Sequence, residues 1–332
     1  LPIEFDCFSD LRIFLALMKG YFKQLRTDLD RLFAARAEHG PYRYLIKNWK
    51  AISDINLAAE VLSADVFRRQ LEPVALPVEN IRSFLVIAPH QDDEVIGAGG
   101  TLALASKARA RLDLLFVTDG DQVIKKSAGN GGAWTAIRRA EAKAVCGKLN
   151  AACHELNISN INPQPNLSNV VELNRIIRET RPEVVLCPWL LDSPSKHRMA
   201  NHLLFLANAY GNLPDFEVWS YQVHNSLIPN GVVDITATAG EKRALIKCYK
   251  SQTENLYRYD HQAMGIAAWN SRYLGRDDKK RYAEIFFTLP KLEYLELIER
   301  FYLKNLRETY LGNSALIDRF EDLDREILLL TD

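Results

Sequence analysis

The sequence has no C-x-x-C pair, no surplus of either charge and no long apolar run, and each absence closes a class of function. Its five cysteines (Cys7, Cys146, Cys153, Cys187 and Cys248) are odd in number and scattered. They suggest neither a disulfide framework nor a thiolate zinc site, and read as reduced, mostly buried thiols of a cytoplasmic protein. Lys plus Arg and Asp plus Glu number 42 each, so bulk charge argues for no nucleic-acid partner. No stretch approaches the ~18 consecutive apolar residues of a transmembrane helix. The opening Leu-Pro-Ile-Glu-Phe-Asp carries acids where a signal peptide has its basic region, so no signal peptide is expected. What is present is a 332-residue chain, 48% hydrophobic and 25% charged, with enough apolar material for a sizeable core.

Three stretches differ in pattern. Over residues 9–72 apolar side chains such as Leu11, Phe14, Leu15, Met18, Phe22 and Leu25 recur at helical spacing. Packing onto the rest of the chain is the expected use of this stripe, and contact with a membrane surface or a partner protein is the alternative, given Arg12, Lys19, Lys23 and Arg26. Pro73 and Pro77 break the pattern. From residue 81 strands alternate with helices: strands at Phe84–Ala88, Leu114–Val117 and 182–188, helices at 101–108, 134–149 and 170–179. That alternation predicts an α/β fold with a parallel sheet flanked by helices. Past residue 290 the pattern is helical again. The expected organisation is an N-terminal helical extension (1–80), an α/β domain (81–289) and a C-terminal helical extension (290–332).

The densest chemistry lies at residues 84–94, Phe-Leu-Val-Ile-Ala-Pro-His-Gln-Asp-Asp-Glu. A buried strand would end at the proline and deliver His90, Asp92 and Asp93 to the loop at its carboxyl end, where open α/β sheets bind ligands. An imidazole and a carboxylate three residues apart can turn toward one cation, leaving Asp92 free to handle protons. The plainer alternative is a polar loop in which Asp92 or Asp93 caps the next helix. Loops after two further strands carry Asp119/Asp121 and Asp192/His197 to the same edge of the sheet. A catalytic zinc site takes three protein ligands, and His197 or, second, His202 is the candidate for the third. Gly97-Ala-Gly-Gly lacks the spacing of a dinucleotide loop and suggests close helix packing. Gly129-Asn-Gly-Gly suggests a lid.

Ala88-Pro-His-Gln-Asp-Asp-Glu94 resembles the first motif of the PIG-L/LmbE-like metal-dependent N-deacetylases, which reads Pro-His-Pro-Asp-Asp-Glu or Ala-His-Pro-Asp-Asp-Glu. The resemblance continues through Val95-Ile-Gly-Ala-Gly-Gly-Thr-Leu-Ala, Val117-Thr-Asp-Gly-Asp, Arg138 and Glu141, Val233-Asp-Ile-Thr, Lys250-Ser-Gln and Tyr282-Ala-Glu-Ile-Phe286. Several motifs in order are more specific than one. The resemblance implies a Rossmann-like fold, a metal held by His90, Asp93 and His197 (zinc, with iron(II) an alternative), Asp92 as general base, and hydrolysis of an N-acetyl group from an amino sugar. Arg138 stands where the family places a substrate-contacting arginine, and Asp121 and Lys196 are further candidates for substrate contact.

The chain departs from the family's second motif, usually His-Pro-Asp-His. Aligned on His197, Pro194 replaces the first histidine, the one that assists the oxyanion or the leaving group, and Lys196 replaces the acid. His224, His202 or Lys196 could supply the missing help, with His224 favoured by its aromatic, strand-like surroundings. The expected function is a cytoplasmic zinc hydrolase acting on an N-acetylhexosamine unit of a glycoconjugate or sugar precursor. The alternatives are an amidase for a different acyl group and a catalytically impaired sugar-binding protein.

Overall fold

Among the described residues eight strands build one sheet, and their residues explain which strand sits where. The computed structural model describes residues 73–121, 131–254, 258–275, 279–310 and 312–331. The helical stripe expected over 9–72 lies outside the described residues. The strands are β1 (Val74–Ala75), β2 (Ser83–Ala88), β3 (Arg111–Thr118), β4 (Ala152–Ile158), β5 (Val184–Pro188), β6 (Glu217–Tyr221), β7 (Gly231–Asp234) and β8 (Ala283–Pro290). The α-helices are α1 (Asp93–Lys107), α2 (Gly131–Leu149), α3 (Leu167–Thr180), α4 (Ser195–Tyr210), α5 (Ala239–Ile246), α6 (Lys250–Thr253), α7 (Tyr259–Asn270), α8 (Lys291–Phe301), α9 (Leu306–Thr309) and α10 (Ser314–Thr331). Half of the suggested lid falls outside the described residues, and the other half opens α2.

The sheet order is β1-β7-β8-β6-β5-β2-β3-β4. β2 and β5 are continuous apolar runs, buried along almost their whole length, as central parallel strands must be when helices cover both faces. Alternate strand residues feed two cores. Leu85, Ile87, Leu115, Val185 and Val218 face one side, with α3, α4, α8 and α10. Phe84, Val86, Leu114, Leu186 and Trp219 face the other, with α1, α2, α5 and α7. β8 pairs antiparallel with both β6 and β7, so the sheet is mostly parallel. Strand direction leaves no trace in a hydrophobic pattern, and the Tyr282–Phe286 motif reads the same either way.

The helical segment after residue 290 packs into the first of these cores rather than standing off from it. Tyr294, Leu295, Ile298 and Phe301 of α8, and Leu316, Phe320, Leu323 and Ile327 of α10, are buried there. At the other end, β1 adds residues 74–75 to the sheet beside β7. Among the described residues no helix is long and apolar enough to cross a membrane.

α1 carries the first motif and is fastened along its length. The Gly97-Ala-Gly-Gly stretch lies inside the helix, and a Cβ on Gly97 would come within 2.3 Å of the Tyr221 ring, one on Gly100 within 2.6 Å of Ile235. The buried Glu284 carboxylate accepts from the backbone N–H of Gly100 and Thr101 (2.8 Å each) and from Lys242 Nζ (2.5 Å). Lys242 also donates to the carbonyl of Ile96 at 2.7 Å. Removing one partner leaves the other charge buried without compensation. Lys242→Met is therefore expected to cost about 3–5 kcal/mol in urea unfolding, and the double variant with Glu284→Gln should recover part of that loss. Equal losses in the single and double variants would show that the pair is not coupled.

Candidate active site

The strand order reverses between β2 and β5: the chain runs β2, β3, β4 outward on one side and then returns to place β5 on the other. The crevice outside such a switch point is where an open α/β sheet can receive a ligand. The loop after β2 delivers His90, Asp92 and Asp93 to it, and the loop and helix after β5 deliver Asp192 and His197. A cavity of about 160 Å³ opens there, lined by His90, Asp92, Asp93, Arg138, Asn160 and His224, with Ile96, Gly120, Gln252 and Tyr259 completing the wall.

His90, Asp93 and His197 each offer a ligand atom, all within 4.8 Å of one another. Asp93 Oδ2 lies 3.0 Å from His90 Nδ1 and 3.3 Å from His197 Nε2. His197 Nδ1 is 2.8 Å from Asp192 Oδ2, and Nε2 is buried without a hydrogen-bond partner. A carboxylate on Nδ1 fixes the tautomer that presents a lone pair at Nε2. An anchored imidazole with an orphaned inner nitrogen, next to a carboxylate and a second imidazole, fits a metal ion. These are the nitrogen and oxygen donors that zinc takes, and iron(II) accepts the same set.

The electrostatics agree with that fit. Burial disfavours charge on Asp93, but the charge of the nearby His197, with the hydrogen bond and charge of His90, outweighs it and holds the carboxyl well below its usual range. Burial likewise opposes charge on His197, yet Asp93 and Asp192 on either side push it up to about 10. Burial lowers His90 despite Asp93 beside it. Two carboxylates thus flank one imidazole, a setting in which positive charge is favoured and a metal cation would supply it.

Asp92 stands apart from this trio. Burial raises its carboxyl to about 7 against the opposing charge of Arg138, whose Nη2 is 3.3 Å from Oδ1. Its backbone has φ 135°, a conformation costly for any residue but glycine. Two contacts hold it there: the Asp92 N–H donates to Glu94 Oε2 at 3.0 Å, and Arg138 donates to the carbonyl of Gln91. Glu94 is in turn pushed up to about 8 by burial and accepts from the Tyr249 hydroxyl.

The remaining sequence candidates divide. His224 lines the cavity, its ring centroid 5.1 Å from that of His197. His202 does not reach it. It lies one turn beyond His197 on α4, on the face turned to the C-terminal helices, with Nδ1 2.7 Å from the Tyr310 hydroxyl and its ring stacked on Phe320 at 4.1 Å. Arg138 is buried at the cavity wall. Asp121 contributes backbone rather than wall: its N–H donates to Asp119 and its carbonyl accepts from Asn160. Lys196 is half-buried, and its charge is felt at His90 and Asp119.

Four residues escaped the sequence reading of roles. Asp192 grips His197 and also accepts from the backbone N–H of His224 (3.4 Å) and Asn225 (2.9 Å). Asn160 has a buried Oδ1 with no hydrogen-bond partner, and Gln252 and Tyr259 line the cavity. The Lys250-Ser-Gln motif was the available signal for Gln252. Its neighbour Ser251 is held by Glu141, which accepts from the Ser251 N–H (2.8 Å) and hydroxyl (2.6 Å).

Comparison with known proteins gives the site a family. Residues 85–208 match the model of the PIG-L family, described as GlcNAc-PI de-N-acetylase. His90, Asp92, Asp93, Arg138 and His197 fall inside that span, and His224 beyond it. A diacetylchitobiose deacetylase of Thermococcus kodakarensis is 26% identical over 229 residues, 63% of this chain and 83% of the relative. A 4-oxalmesaconate hydratase of Pseudomonas putida is 25% identical over 198 residues, 54% of this chain and 76% of the relative. The solved N,N'-diacetylchitobiose deacetylase of Pyrococcus horikoshii superposes with a TM-score of 0.57 at 26% identity, covering 73% of this chain and 96% of the other. The matched motifs, the sheet and the relatives agree: residues 85–208 match the PIG-L family model, and the proteins this chain is similar to are enzymes.

Proposed function

We propose that this chain is a zinc-dependent deacetylase that removes the acetyl group from an N-acetylhexosamine unit of a glycoconjugate or sugar precursor. The observation that carries the reading is the convergence of His90, Asp93 and His197 beside a strained, buried Asp92 that is not needed to bind metal. Bound at that trio, zinc supplies Lewis acidity toward the amide carbonyl and lowers the pKa of water. The other work falls to the chain. Asp92 accepts the proton of the attacking water, and a carboxyl poised near neutrality suits that role. Arg138 and Glu94 keep Asp92 aimed. Across the cavity His224 takes the part that the family's motif assigns to the histidine replaced by Pro194, donating to the developing oxyanion or to the departing amine. Asn160 and Gln252 offer hydrogen bonds to sugar hydroxyls. The deacetylase relatives of Thermococcus and Pyrococcus support the same bond and the same class of substrate.

Acetate release from a panel of N-acetylated amino sugars and their conjugates tests this. Release from at least one substrate, abolished by a chelator and restored by zinc, is expected, and none from any would overturn the reading. In the same assay His224→Ala should lower kcat by about 10²–10³. His202→Ala should leave kcat near the parent's and lower Tm, because its ring is part of the packing between α4 and α10. The reverse pattern would assign the missing histidine to position 202.

A further inference from the structure

A second, smaller cavity, of about 80 Å³ and open to solvent, adjoins the first and shares Ile96, His224 and Tyr259 with it. Its remaining walls are Val223, Gln262, Ala263 and Ile266. Tyr259, Gln262, Ala263 and Ile266 fall at i, i+3, i+4 and i+7 along α7, so one face of that helix forms a whole side. The opposite side is the segment after β6 and the first turns of α1. Apolar side chains (Ile96, Val223, Ala263, Ile266) dominate the lining, whereas the first cavity is walled by His90, Asp92, Asp93, Arg138 and Asn160. Small-molecule sites are mostly apolar with a few polar groups that orient the ligand, and this lining has that character. Here those groups are His224 and Tyr259, shared with the catalytic side, and Gln262, which belongs to this trough alone.

We infer that this trough is a subsite for an apolar substituent on the substrate, the aglycone of the N-acetylated amino sugar, which lies along α7 while the acetamido group sits between Asp92 and His224. The inference rests on the deacetylase reading for the identity of the sugar, and on the continuity of the two cavities for the place of the aglycone. Burying a methylene of the aglycone among Val223, Ala263 and Ile266 removes it from water. Affinity should therefore climb with aglycone length until the trough is filled. Ile266 is half-buried on the helix surface and lines this trough but not the catalytic cavity. A charge there spoils the trough without touching the catalytic groups.

The test uses the methyl, butyl and hexyl β-glycosides of N-acetylglucosamine with the full chain in its zinc-loaded form, measuring kcat/KM for acetate release and Kd by calorimetry. In the parent protein both are expected to improve by about fourfold per methylene until the trough is filled. In Ile266→Glu that dependence should vanish, while the methyl glycoside is turned over as in the parent. The methyl glycoside also reports folding; if Ile266→Glu loses it, Ile266→Ala, which shortens the wall without adding charge, should flatten the dependence instead. Equal kcat/KM and equal Kd for the methyl and hexyl glycosides in the parent would overturn the subsite. A chain-length dependence in Kd with no acetate from any glycoside would uphold the subsite and overturn the deacetylase reading.

Discussion

His197→Ala is expected to leave a folded protein that no longer retains zinc through dialysis and releases no acetate above background. Three features of the structure make this imidazole hard to replace. Its Nε2 is buried and unpartnered, its Nδ1 is held by Asp192, and it stands 3.3 Å from Asp93. Removing it takes one donor of three and leaves Asp93 and Asp192 facing each other across a void with less positive charge between them. Asp192→Asn removes only the outer partner, for which a 10–100-fold loss of metal affinity is usual. Loss of the ring itself should exceed about 100-fold. Metal content by elemental analysis, with circular dichroism for the fold, checks the result. One equivalent of zinc retained by His197→Ala would remove this residue from the ligand set.

Asp92→Asn should give the opposite dissociation of properties: full metal content, little change in KM, and a kcat lower by about 10²–10⁴. Asparagine preserves shape, and the contacts that hold the turn at φ 135° go to the backbone N–H of residue 92 and the carbonyl of Gln91, which the substitution leaves in place. What is lost is the basic oxygen. Burial has already pushed the carboxyl to about 7, so the parent can take up and return a proton near neutrality, which an amide cannot. Single-turnover acetate release separates this effect from binding. Near-normal turnover by Asp92→Asn would place the base elsewhere.

Much of this arrangement was legible before any coordinates, for identifiable reasons. The run Phe84–Ala88 is apolar at every position and stops at a proline, so a central strand and the loop bearing His90, Asp92 and Asp93 could be placed from the pattern alone. Bringing His197 to the same loop required only that parallel strands present their carboxyl ends on one edge. The pattern could not choose between His197 and His202. Both lie on α4, five residues apart, and only packing shows that one faces His90 and Asp93 and the other faces Tyr310 and Phe320. β4 was missed because its sequence, Ala-Cys-His-Glu-Leu-Asn-Ile, is that of a sheet edge, with burial on few positions. Asn160, which follows it, was lost for the same reason. Asp192 was noticed as a loop acid but not as the partner of His197, because an interval of five residues between a loop and a helix has no fixed meaning until the turn is known.

The grip of Asp192 on both sides of the cavity has a consequence for ion exchange. One of its oxygens meets the His197 ring, and the same carboxyl accepts from the backbone at His224 and Asn225. An ion of different radius, by shifting His197, would pull through Asp192 on the chain that carries His224. If the site holds a metal as proposed, substituting it would then retune the placement of His224, the proposed proton donor, along with the acidity of the water, and the two effects would not separate by varying the ion alone.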